Sequence, residues 1–164
     1  MEIYTHKNTN LMKKLSYPVT YGLLIAIGLI AYFLLLSLFG LHINPAYSIF
    51  NMVILGAGLY FAITRYKENK GVKYRFQKGF MVGLTTGFIA TMLFTAFFAV
   101  YSELDPDFLE ELITMWETDW FVSIGMVIFT VALMGFASTV VITFAWNQLL
   151  KNTRNTTEGK KHTY

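Results

Sequence analysis

Four long stretches of this chain carry no Asp, Glu, Lys, Arg or His: Val19 to Phe39, Ala46 to Ile63, Gly79 to Val100 and Phe121 to Ala145. Each runs roughly 18 to 25 residues, which at about 1.5 Å per residue crosses the ~30 Å hydrocarbon core of a bilayer. Hydrocarbon offers a peptide group no hydrogen-bond partner, so an uncharged run of this length must close its backbone bonds internally, and that selects helix. The expected fold is all-α: a polytopic membrane protein with four transmembrane helices in an antiparallel bundle. Composition agrees, because 55% hydrophobic and 14% charged residues in a chain of 164 is too apolar for an ordinary soluble domain.

The first run follows Lys13 and Lys14, as the core of a secretory signal would. It is much longer than a signal core, and it ends in Gly40-Leu41-His42-Ile43-Asn44-Pro45 rather than at a small-x-small cleavage site. It therefore reads as an uncleaved first span, and the chain divides into an N-terminal tail (1–16), a transmembrane domain (17–150) and a C-terminal tail (151–164). Short connections at 40–45, 64–78 and 101–120 imply that successive helices are antiparallel neighbours. Every basic residue falls on one side of that frame. Lys7, Lys13 and Lys14 precede the first span, Arg65, Lys67, Lys70, Lys73, Arg75 and Lys78 separate the second and third, and Lys151, Arg154, Lys160 and Lys161 follow the fourth. Short Lys- and Arg-bearing loops stay in the cytoplasm, so both termini are expected there. The six cations between the second and third spans are expected to contact anionic lipid headgroups, each contributing about 1 kcal/mol.

The loop at 101–120 carries Glu103, Asp105, Asp107, Glu110, Glu111, Glu117 and Asp119 and is expected outside. Within it, Asp105-Pro106-Asp107 reads as an N-cap followed by proline in the first helical position, opening a short interfacial helix to about Met115. Phe108, Leu109, Leu112, Ile113 and Trp116 would share its apolar face against the membrane surface. Trp116 and Trp120 are expected as anchors at the outer interface and Trp146 at the inner one. In the third span Gly79, Gly83, Gly87 and Thr91 recur every fourth residue, a groove against which another helix can pack closely. Weaker counterparts are Gly22 with Ala26 and Gly135 with Thr139.

These features exclude several chemistries. There is no cysteine, so no disulfide, thiolate nucleophile or cysteine-held metal. His6, His42 and His162 are scattered, and the acidic loop matches no calcium-binding spacing, so no metal and no cofactor is expected. Intramembrane hydrolysis needs paired aspartates, a metal motif, or a serine beside a histidine or lysine, and the spans hold none of these, so no catalytic residue is assigned. A proton- or ion-coupled carrier would normally hold an ionisable group at mid-depth. The net charge of +3 is segregated along the chain, which argues for membrane orientation and not for a nucleic-acid partner.

At Tyr66-Lys67-Glu68-Asn69-Lys70-Gly71, at Tyr74-Arg75-Phe76-Gln77-Lys78-Gly79-Phe80 and at Asp105-Pro106-Asp107-Phe108-Leu109, the chain resembles a bacterial family, domain of unknown function 4199, common in Bacteroidota. The resemblance implies four spans in an inner membrane and transfers no activity and no functional residue. The expected role is a non-enzymatic accessory or scaffold subunit acting through helix packing. Its partners would be membrane lipids and another membrane protein or a second copy of itself. The alternative is a small transporter or lipid-handling protein, either single or dimeric.

Overall fold

A computed structural model describes residues 17–115 and 123–151. They form α1 (Tyr17–Leu38), α2 (Ile49–Lys70), α3 (Phe76–Leu104), α4 (Pro106–Met115) and α5 (Ile124–Leu149), with 3-10 turns at Pro45–Ser48 and Gly71–Lys73 and no strand among the described residues. Four of these helices, all but α4, are long and apolar enough to cross a membrane. The fold is an all-α multi-pass membrane bundle, as the apolar runs require.

Helix ends differ from the ends of the apolar runs. α2 continues past Ile63 through Thr64–Lys70, a stretch expected as loop. Lys67 and Lys70 in its last turn suit the negative end of the helix dipole, and the helix stops only where Gly71 turns to φ +49°. α3 likewise overruns its apolar stretch at both ends, and α5 extends beyond Ala145 to Leu149. Lipid solvation sets where charges are tolerated, whereas capping sets where a helix ends. α1 is closed by Gly40 at φ +66°, with Gly40 N–H donating to Ser37 O (3.0 Å) and Leu41 N–H to Leu36 O (3.0 Å), a Schellman pair.

α3 packs against α1, α2 and α5, and α2 joins the three, so that α1 and α5 lie on opposite sides of the bundle. One apolar cluster is built on Ile25, Leu29, Leu55, Leu59 and Ala90; a second, towards the acidic end, on Phe33, Phe98, Phe108 and Val127. Large apolar side chains such as Leu24, Leu35, Phe61, Phe88 and Phe129 face outwards, where a membrane replaces water as solvent.

α4 begins as the sequence implies, with Asp105 Oδ1 accepting from Phe108 N–H at 3.2 Å and Glu110 and Glu111 exposed. Its apolar face, however, does not simply rest on a membrane surface. Phe108 is 3% exposed, inserted among Phe33, Phe98 and Tyr101, and Leu112 and Ile113 pack on the same cluster. Burying one Phe contributes roughly 1.5–3 kcal/mol. That is enough to hold a helix of 10 residues that is too short to persist alone.

Candidate functional site

The glycine stripe of α3 is filled by α5 of the same chain. A Cβ added at Gly87 would strike Thr139, one at Gly83 would strike Thr143, and one at Gly79 would strike both Asn147 and Tyr74. At the next turn the roles reverse: a Cβ on Gly135 would come within 2.6 Å of Thr91 Cγ2. α5 thus carries its own four-residue series, Gly135, Thr139, Thr143 and Asn147, facing Thr91, Gly87, Gly83 and Gly79 on the antiparallel α3. With no hydrophobic force between helices in lipid, such backbone proximity is what supplies the contact energy. α1 makes a similar approach, since a Cβ on Gly22 would lie 2.9 Å from Ile89 Cβ and from Thr86 O.

Hydroxyls in spans usually bond back to their own helix, and Thr86 does so to Val82 O (2.7 Å), as does Ser102 to Phe98 O (2.9 Å). Thr139 and Thr143 do not. Both are buried, and their Oγ1 atoms have no conventional partner among the described residues. The Cβ direction of a glycine is also that of its second α-hydrogen. The oxygens of Thr139 and Thr143 therefore sit where Cα–H···O contacts to Gly87 and Gly83 form.

A polar clasp closes the basic end of the seam. Asn147, fully buried, donates from Nδ2 to Phe76 O at 2.8 Å and accepts at Oδ1 from the Tyr74 hydroxyl. Burial raises the Tyr74 phenol above its ordinary range, reinforced by neighbouring Tyr66, so it stays a neutral donor. Lys67 Nζ donates to Leu150 O at 2.8 Å, beside the C-terminal carbonyls of α5, and Asn69 Nδ2 donates to the Tyr17 hydroxyl at 3.1 Å. The start of α1, the end of α2, the start of α3 and the end of α5 are thereby collected at one end.

The cations of that end divide by use. Lys67 is half-buried in the clasp, and Arg65 pairs with Glu68 at 3.4 Å. Lys70, whose Nζ lies 5.9 Å from the Tyr66 ring centroid, is exposed, as are Lys73, Arg75 and Lys78. Trp146, expected at the inner interface, donates its indole N–H to Gly56 O at 2.9 Å and packs its ring on Tyr60, contacts that tie α5 to α2. Trp116 and Trp120 lie outside the described residues.

At the acidic end sits a residue that sequence reasoning passed over. His42 stacks on Phe108 at 4.8 Å and meets Phe33 edge-on at 5.6 Å, and both its ring nitrogens are buried without a partner among the described residues. Burial pulls its pKa below the ordinary histidine value, against an opposing pull from Asp105 and Glu111. Nearby, Tyr101 shares a 2.7 Å hydrogen bond with Ser37 and donates to Asp105 Oδ2 at 3.3 Å. A lone histidine after a span gives no spacing signal. Asn147 was passed over too, although it continues the four-residue series of Gly135 and Thr139 through Thr143, a spacing that could have found it.

No curated protein and no solved structure matches the chain. The profile of a family described as "Protein of unknown function (DUF4199)" matches residues 20–120, from the first turn of α1 past the end of α4. With that match spanning most of its length, and with the four apolar helices described above, the chain belongs to the DUF4199 family of proteins of unknown function.

Proposed function

We propose that this protein is a non-enzymatic accessory or scaffold subunit of a bacterial inner membrane. In this reading its termini are cytoplasmic, and it acts by packing against another membrane protein or a second copy of itself. The observation that carries the reading is the closed seam. The glycine, threonine and asparagine side of α3 and α5 is engaged at every turn from Gly79–Asn147 to Thr91–Gly135. A transport path along those hydroxyls would need that surface open, which weighs against the transporter alternative. The seam also changes what the glycines mean: they join α3 to α5, so a partner would meet the outward faces instead. α5 is the least buried of the four spans and offers the most of this surface. Phe129, Leu133, Met134, Val141 and Phe144 are exposed there.

The test is a tagged pull-down from native membranes in mild detergent, with mass spectrometry of the intact complex. A stoichiometric second protein, or a homodimer disrupted by Leu133→Trp or Val141→Trp, is expected. A monomer carrying lipid alone would reject the scaffold reading and favour lipid handling.

A further inference from the structure

Between the start of α1 and the end of α2 lies a cavity of about 510 Å³ lined by Tyr17, Tyr21, Arg65, Glu68 and Asn69. It sits just beyond Ala62 and Ile63, the last fully buried apolar residues of α2, and hence at the level where hydrocarbon gives way to headgroups. Its chemistry is paired. Arg65, Glu68 and Asn69 project from one face of α2 at i, i+3 and i+4, and they present one cation and one anion to the same space. Arg65 Nη1 and Glu68 Oε2 touch at 3.4 Å with both side chains more than half exposed, a contact too long and too hydrated to hold the pair closed. The tyrosines add hydroxyls, that of Tyr17 already oriented by Asn69 at 3.1 Å.

One turn deeper on the same two helices the exposed surface becomes apolar. Leu24, three residues after Tyr21, and Phe61, four before Arg65, are 57% and 58% exposed, beside the cavity on the hydrocarbon side. A soluble phosphate ester would have no use for that stripe, whereas acyl chains would cover it.

We infer that this cavity is a binding site for a phospholipid with a zwitterionic phosphoethanolamine headgroup. Its phosphate meets the Arg65 guanidinium and the Tyr21 hydroxyl, its primary ammonium donates to the Glu68 carboxylate, and its chains lie over Leu24 and Phe61. A phosphoglycerol headgroup would satisfy Arg65 but place no donor cation on Glu68. A quaternary ammonium would bring charge without an N–H. The inference rests on the membrane-spanning fold and is independent of the scaffold reading.

The experiment is native mass spectrometry of the delipidated full chain titrated with chain-matched phosphatidylethanolamine, phosphatidylglycerol and phosphatidylcholine, and with soluble glycerophosphoethanolamine. Phosphatidylethanolamine is expected to bind about five- to tenfold more tightly than the other two, the range that one net hydrogen bond of ordinary strength provides where water still reaches the carboxylate. Glu68→Gln should abolish the preference while retaining phosphatidylglycerol binding. Arg65→Gln should weaken all three lipids, and Lys73→Gln, at an exposed cation away from the cavity, should leave the preference for phosphatidylethanolamine over phosphatidylcholine unchanged. Equal binding of the three lipids by the unaltered chain, or a preference that survives Glu68→Gln, would overturn the inference. So would soluble headgroup binding as tightly as the lipid, since the chains would then contribute nothing.

Discussion

At the scale of single residues, the chain treats its glycines unequally, and the difference is measurable. Ala is favoured over Gly in a helix by about 1 kcal/mol, so Gly→Ala stabilises wherever there is room. At Gly28 a new Cβ would meet only Ile54, at an ordinary 3.4 Å. At Gly87 it would meet three atoms of Thr139, and overpacking of that kind costs about 1–3 kcal/mol, which outweighs the propensity gain. Gly28→Ala is therefore expected to hold or raise the unfolding temperature in detergent, and Gly87→Ala to lower it. Adding Thr139→Ala to Gly87→Ala should restore more than half of the loss. Tryptophan fluorescence on heating reads the unaltered chain, these three variants and Thr139→Ala alone; additive single effects of Gly87→Ala and Thr139→Ala would show that the two positions do not share a contact. The stripe on α3 was legible because glycine costs a helix stability, so its return at every fourth residue points to a neighbour that needs the space. Its partner was only half legible, because threonine and asparagine also occur in spans for local hydrogen bonding.

At the scale of elements, α4 is the piece whose existence the sequence announces and whose seat it does not. Asp105-Pro106 marks where the helix starts, but an amphipathic face fits a lipid surface and a protein crevice equally well, and only the position of Phe33 and His42 across the bundle decides. The seat has a titratable wall. His42 has its pKa lowered when docked, so the undocked ring binds more protons wherever the pH lies between the two values. Docking is then strongest above the ordinary histidine pKa of about 6.5 and weakens as pH falls through the lowered value. Hydrogen exchange across 106–115, corrected for intrinsic rates, should quicken between about pH 7.5 and pH 5 in the unaltered protein. His42→Phe keeps the stack on Phe108 and should flatten that dependence; an unchanged profile would show that His42 does not govern docking.

At the scale of the whole molecule, the four-span architecture was readable almost entirely from the placement of charge, because lipid penalises an exposed ion more severely than any packing preference can offset. The gathering of all described basic residues at one end follows from the same rule, and it makes orientation testable. A reporter active only outside the cytoplasm should work when fused after Ile113 and stay silent after Lys70, and the opposite pattern would invert the molecule. What charge could not convey is how firmly α3 and α5 are indexed to one another. Two stripes that both repeat every fourth residue could in principle slip past each other by one helical turn, about 5.4 Å, and find glycine opposite threonine again. The single exchanged pair, Thr91 with Gly135, forbids it. Slipping one way sets Thr91 against Thr139, and slipping the other leaves Gly87 facing Gly135 across a void. The two helices therefore mesh like a key with one reversed tooth, which resists the sliding of either along the other.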